Sequence, residues 1–95
     1  MIVSISYDAH KVRKYDRLYA LMASWNAVRV TDSHWLANLV GPAETVRDIV
    51  GGALDNDDTV VVIQLQHGSD WATVNANTAA NAALSAYVTP SKYAA

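Results

Sequence analysis

Residues 59–65, TVVVIQL, decide the fold, because they carry the strongest strand pattern in the sequence. Successive side chains of a strand point to opposite faces of a sheet. The alternation assigns three residues to the predicted core face: Val61, Ile63 and Leu65. The same reasoning predicts a first strand over residues 2–7, with Val3, Ile5 and Tyr7 on its core face.

The segments between these two strands predict the rest of the architecture. Residues 15–25 place apolar side chains at helical spacing, residues 28–31 and 34–39 alternate as a hairpin, and a helix starts at Pro42 and stops at Gly51-Gly52. A last helix is predicted from Trp71 to about Ala86, with Asp70 as its cap. The order β-α-β-β-α-β is typical of the α+β, ferredoxin-like fold, here with an added C-terminal helix. We predict one domain over residues 1–88 and a flexible tail over residues 89–95.

Composition excludes several classes of protein. The chain has 95 residues, no cysteine, 52% hydrophobic residues and 17% charged residues. These numbers argue against a disulfide framework, a thiolate zinc site, a cysteine nucleophile and a disordered chain. Because the sequence shows neither a signal-peptide pattern nor a stretch of about 20 apolar residues, we predict a cytoplasmic protein without a membrane partner.

The second face of the predicted sheet mixes apolar and small polar side chains. An apolar sheet face without a cover is a candidate subunit interface. We therefore predict a homodimer whose interface contains Ile2, Ser4, Ser6, Leu36, Val60 and Val62. The alternative is that the C-terminal helix of the same chain folds over this face.

Several segments in a fixed order resemble one known family. They are Tyr7-Asp8, KYDRLYALMASWNAVRV at residues 14–30, TDSHWL at 31–36, ETVRDIV at 44–50, LDNDDTVVVIQL at 54–65 and Asp70-Trp71-Ala72. Together they resemble the Cas2 family of CRISPR adaptation proteins, and most closely its small relatives from bacteria, phages and mobile elements. The resemblance covers about residues 1–72.

The resemblance implies a ferredoxin-like dimer formed through the sheets. In several members the Asp at the end of the first strand is a metal ligand at the dimer axis of a metal-dependent nuclease, and VapD-type ribonuclease toxins share the fold. Other members are non-catalytic scaffolds that hold duplex DNA. Cas2 proteins add a last strand that crosses to the partner, whereas a helix is predicted here, which argues against an integrase-type partner.

Asp8 is the candidate catalytic residue and metal ligand. Mg²⁺ prefers oxygen ligands and keeps several waters, so one or two carboxylates suffice to bind it. One Asp8 from each subunit would supply two carboxylates, and the metal would activate water for phosphodiester cleavage. The alternative is that Asp8 only forms a turn or caps a helix.

A basic segment follows Asp8 and alternates with tyrosines. The residues predicted to contact phosphate or nucleic acid are His10, Lys11, Arg13, Lys14 and Arg17, and Tyr7, Tyr15 and Tyr19 would stack on bases. The alternative is a solvated helix face, with Arg13 and Arg17 paired to Asp16 or to the acidic turn at residues 55–58.

These observations predict a nucleic-acid-binding protein that acts as a Mg²⁺-dependent endonuclease on RNA or DNA at an Asp8 pair. The alternative function is a non-catalytic homodimeric module that binds a nucleotide or a partner protein, for example a regulator in a phage or mobile element. His34 and His67 are predicted to be structural, and Trp25 and Trp35 are predicted to lie in the core.

Overall fold

The fold was analysed in a computed structural model, which describes residues 1–8 and 15–90. The elements are β1 (Ile2–Asp8), α1 (Asp16–Ser24), β2 (Val28–Thr31), β3 (His34–Asn38), α2 (Ala43–Gly52), β4 (Thr59–Leu65) and α3 (Thr78–Tyr87). The strands form one sheet in the order β2-β3-β1-β4, and every neighbouring pair is antiparallel. The predicted α+β class is confirmed, and the strand order is compatible with a ferredoxin-like fold.

The main core lies between one sheet face and the helices α1 and α2. Val3 and Ile5 of β1 are fully buried, as are Leu18 and Met22 of α1 and Val50 of α2. Each such apolar side chain contributes about 1.5–3 kcal/mol when it leaves water. The predicted core face of β1 is therefore confirmed.

The face of β4 that packs on the main core is the opposite of the predicted one. The register pairs Ile5 with Val62 and Tyr7 with Val60, and both valines pack against the main core. Val61 and Ile63 instead lie on the second face, where they are 47% and 55% exposed. Alternation defines two faces but does not say which one is buried when both are apolar. The prediction of Val60 and Val62 as second-face residues is wrong for this reason.

The helix α3 covers part of the second face. Leu36 of β3 forms a buried cluster with Ala83, Leu84 and Val88. Half-buried apolar residues pack around this cluster: Ile2, Val28, Val30, Leu65 and Trp71. The C-terminal helix of the same chain, which was the alternative, thus covers Ile2 and Leu36. These two residues do not form an open sheet face.

The helix α3 starts at Thr78, seven residues later than Trp71, where the sequence pattern placed its start. Asn75 has a φ of 60°, a left-handed conformation that a continuing right-handed helix cannot contain. Asn77 then acts as the N-cap, because its side-chain oxygen accepts a hydrogen bond from the Ala80 amide at 2.7 Å. A helix of the length and apolarity that a membrane span requires is absent from the described residues.

Candidate functional site

Four aromatic rings form a continuous row beside the C-terminal half of β1. Ring centroids are 5.6 Å apart between Tyr7 and Tyr15, 5.9 Å between Tyr15 and Tyr19, and 6.2 Å between Tyr19 and Trp35. The interplanar angles are 43–51°, within the tilted geometries that aromatic pairs prefer. We call these four residues the aromatic row.

Arg29 lies over the outer end of the aromatic row. Its guanidinium carbon is 5.3 Å from the Tyr19 ring centroid and 5.5 Å from that of Trp35. Its Nη2 donates to the backbone carbonyl of Asp32 at 2.6 Å and to the Tyr19 hydroxyl at 3.4 Å. Two cation–π contacts and two hydrogen bonds hold the exposed guanidinium in a defined place.

Local structure explains why these side chains meet. Tyr15 and Tyr19 are four residues apart at the start of α1, so their side chains lie on one side of that helix. Trp35 pairs with Arg29 across the β2–β3 hairpin and with Ile5 on its other side. Residues paired in this way share a face, and this face is the one that α1 packs against.

The Tyr7 hydroxyl joins the first and last members of the aromatic row. It accepts a hydrogen bond from Trp35 Nε1 at 3.2 Å and donates one to the Asp32 carbonyl at 3.2 Å. Burial raises the pKa of Tyr7, and the hydrogen bond from Trp35 opposes this rise only in part. Tyr7 therefore stays a neutral phenol at physiological pH and positions the Trp35 ring rather than acting as a base.

Asp8 ends β1 as an exposed side chain. It pairs with Thr59, directly after the acidic turn at residues 55–58. By alternation Asp8 belongs to the second face, whereas Tyr7 and the aromatic row belong to the main-core face. Within residues 1–8 and 15–90, groups of three or more His, Asp or Glu side chains placed to hold a metal are absent. The role of Asp8 as a metal ligand stays a prediction.

The predicted basic residues have different outcomes. His10, Lys11, Arg13 and Lys14 lie outside the described residues. Arg17 donates to the backbone carbonyl of Gly52, at the C-terminal end of α2. This bond satisfies one of the carbonyls that a helix end leaves without an intrahelical partner. It gives Arg17 a structural role that joins the two helices.

Arg29 is the residue that sequence reasoning missed. The sequence did contain a hint of its position. Arg29 lies between Val28 and Val30 in a strand that alternates, and the hairpin places it opposite Trp35. Trp35, predicted to be a core residue, is half-buried and contributes both to the core edge and to the aromatic row.

On the second face, Ser4 and His34 form a close pair. The Ser4 Oγ and His34 Nε2 atoms are 2.6 Å apart. Burial lowers the pKa of His34, so the neutral imidazole is favoured. The hydrogen bond between the hydroxyl and the neutral ring satisfies both groups where water has limited access. The pair supports the prediction that His34 is structural.

A cavity of about 260 Å³ lies at the other end of the sheet, between α3 and the strands. Its walls combine apolar residues, among them Ile2, Val28 and Leu36, with polar ones such as Asn26 and Asn38. This volume lies below the roughly 300–1,000 Å³ of most small-molecule pockets. A second, more open cavity of about 530 Å³ lies beside Gln64, Gln66 and His67. The aromatic row is the stronger candidate site because it places a fixed cation over exposed rings.

Comparisons with known proteins gave no match that bears on this site. We found no matching family model, no matching curated protein and no matching solved structure. The resemblance to the Cas2 family consequently stays a hypothesis that rests on the order and spacing of its short motifs.

Proposed function

We propose that the protein binds single-stranded nucleic acid, with bases stacked against the aromatic row and a phosphate held by Arg29. The observation that carries this proposal is the guanidinium fixed over Tyr19 and Trp35 at an exposed position. Aromatic side chains accept any base by stacking, at about 1–3 kcal/mol per base, and arginine adds charge and hydrogen bonds to phosphate.

Exposure supports this use of the aromatic row. Tyr19 is 39% exposed, and Tyr15 and Trp35 are half-buried, so the row has an accessible side and an anchored side. Arg29 lies over the exposed Tyr19, so a charged group and an accessible ring stand side by side.

Charge supports the same ligand. The net charge of −2 hides a local basic segment, since Lys11, Arg13 and Lys14 immediately precede Tyr15 in the sequence. Positive groups next to a stacking surface are the combination found in proteins that bind single strands. Binding that depends on such groups weakens steeply as salt rises.

Mg²⁺-dependent cleavage is a separate proposal that rests on Asp8 and on the family resemblance. Asp8 would supply one carboxylate, so a metal held at Asp8 would need further ligands from water, from nucleic acid or from a second copy. Asp8→Asn tests this proposal, because it removes the charge and keeps the size. Loss of Mg²⁺-dependent cleavage with binding retained would support a catalytic Asp8, and unchanged cleavage would contradict it.

The binding proposal is tested by fluorescence anisotropy with a labelled single-stranded oligonucleotide, at about 50 and 200 mM salt. We expect Arg29→Ala to weaken binding by roughly tenfold, as expected for the loss of one charged contact to phosphate. Arg47→Ala is the matched control, because Arg47 is also an exposed arginine but lies on α2 and pairs with Asp48 at 2.8 Å.

Tyr19→Leu separates stacking from charge, because it keeps an apolar side chain and removes the ring. We expect weaker binding with an unchanged salt dependence. Equal affinities for the wild type, Arg29→Ala and Arg47→Ala would contradict the proposed site. An absence of any salt-sensitive binding by the wild type would contradict nucleic-acid binding itself.

A further inference from the structure

The sheet ends at β4, and within the described part of the chain no further strand pairs with its outer edge. A sheet edge presents a row of backbone N–H and C=O groups that can pair with another strand. Soluble proteins usually protect such an edge with a charge, a proline, a bulge or a very short strand. The seven residues of β4, TVVVIQL, contain no charge and no proline, and their pairing with β1 runs without a bulge.

Exposed apolar side chains accompany this edge. Val61 and Ile63 are 47% and 55% exposed, on the part of the second face that α3 leaves open. Ile49 of α2, the helix that packs on β4, is 47% exposed as well. An unprotected edge flanked by three exposed large aliphatic residues is typical of an interface rather than of a solvated surface.

We propose that β4 pairs antiparallel with β4 of a second copy of the chain, around a two-fold axis at Val62. In this register Val61 lies opposite the partner's Ile63, and Ile63 lies opposite the partner's Val61. The two most exposed apolar residues of the strand thus cover each other twice. Because paired residues share a face, both copies keep α1 and α2 on one side of a continuous eight-stranded sheet.

The antiparallel orientation places the acidic turns of the two copies at opposite ends of the junction. The acidic turn at residues 55–58 precedes β4, whereas Gln66 and His67 follow it. Antiparallel pairing places each acidic turn beside the Gln66–His67 end of the other copy. The two acidic turns then lie roughly 27 Å or more apart.

This dimer differs from the one that the family resemblance implies. Asp8 lies beside Thr59, at the N-terminal end of β4. Pairing around Val62 therefore places the two Asp8 residues at opposite ends of the junction, roughly 20 Å or more apart. The two copies of the aromatic row are separated likewise, so each binding surface acts on its own. The edge dimer is independent of the proposed nucleic-acid binding, and either can fail without the other.

Sedimentation velocity over a concentration series, from about 1 to 100 µM, tests the dimer. We expect the wild type to dimerise and Val61→Lys to weaken the dimer by roughly tenfold or more, because two apolar cross-strand pairs are lost per dimer. Val40→Lys is the matched control, since Val40 is 95% exposed but lies outside the strands. Circular dichroism confirms that each variant is folded. A monomeric wild type, or a dimer that Val61→Lys leaves intact, would overturn the proposal.

A charge-pairing experiment tests the register. In a mixture of Val61→Lys and Ile63→Glu chains, the mixed dimer has one Lys–Glu pair and one Ile–Val pair across the junction. We expect this mixture to dimerise more tightly than either variant alone. Tighter association of Val61→Lys with Val61→Glu instead would place the axis at Val61 and overturn the proposed register.

Discussion

The two faces of the sheet are covered in different ways. The main-core face is covered by α1 and α2 through large side chains that are fully buried, such as Leu18 and Met22. The second face is covered by α3 through alanines, Leu84 and Val88, and its sheet-side partners are mostly half-buried. Buried apolar area sets the stability of an interface, so the main core holds the fold and α3 is the more weakly held cover.

The hydrogen bonding of buried polar groups also differs between the two sheet faces. Among the described residues, three buried side-chain atoms lack a hydrogen-bond partner, and they lie before, within and after α3: Trp71 Nε1, Ser85 Oγ and Thr89 Oγ1. The Tyr7 hydroxyl and Trp35 Nε1, on the main-core face, bond to each other. A buried polar group without a partner costs about 1–3 kcal/mol, which weakens the α3 cover further.

The largest expected effect comes from a cavity in the main core. Leu18→Ala removes a fully buried side chain and should lower the free energy of unfolding by about 3 kcal/mol, measured by urea denaturation. Leu84→Ala, in α3, should cost less, because several residues that pack around Leu84 are only half-buried. Equal losses for the two variants would contradict the difference between the faces.

Hydrogen exchange gives a second readout of these two variants. Leu84→Ala should speed the exchange of α3 amides while β1 amides remain protected, since a weakly held element opens locally. Leu18→Ala should speed both. Uniform acceleration by Leu84→Ala would show that α3 and the main core unfold as one unit.

An intermediate effect should come from two threonines in the α3 segment. Thr73 Oγ1 donates to Asn81 Oδ1 at 2.6 Å, and Asn81 is buried. Thr73→Val should therefore destabilise the protein by about 1–3 kcal/mol, because the buried amide loses its partner. Thr89 Oγ1 is buried without a partner, so Thr89→Val should be neutral or stabilising by up to about 1 kcal/mol. The midpoint of urea denaturation measures both, and a cost of Thr89→Val similar to that of Thr73→Val would contradict this view of the cover.

The smallest expected effect is a pH dependence on the second face. Burial lowers the pKa of His34 in the folded chain, so the unfolded chain takes up a proton first as pH falls below about 6.5. The contribution of His34 to stability is complete above that pH and is lost as pH falls towards the folded-state pKa. The melting temperature of the wild type should fall more than that of His34→Gln between about pH 7 and 5. Parallel melting curves would show that His34 does not titrate in this way.

Sequence patterns predicted much of the fold because they are local. The alternation in β1, the helical spacing around Leu18 and Met22, and the turn signals at Gly41-Pro42 and at residues 51–58 each depend on neighbours in the chain. The buried face of β4 was not predictable, because TVVVIQL is apolar on both faces and only pairing with β1 decides which face is covered. The start of α3 was missed because Asn75 and Asn77, rather than Asp70, control the backbone there.

The candidate site, too, could be predicted from the sequence only in part. The sequence pointed to the tyrosines near Asp8, and the structure places Tyr7, Tyr15 and Tyr19 in one row. Arg29 and Trp35 join that row through a contact between a hairpin and a helix, which no local pattern encodes. Arg17 looked equally available for phosphate, and in the structure it bonds to the end of α2. A phosphate contact at Arg17 stays a prediction.

The sequence by itself determined the α+β class, the alternation of strands and helices, and the core face of β1, because these follow from the spacing of apolar residues along the chain. Only the tertiary structure decided which side of β4 is exposed, what covers Ile2 and Leu36, and where Arg29 rests. These outcomes depend on the register between strands and on the packing of distant segments. Side-chain periodicity is equally satisfied by either face of a strand, whereas burial of apolar area selects one.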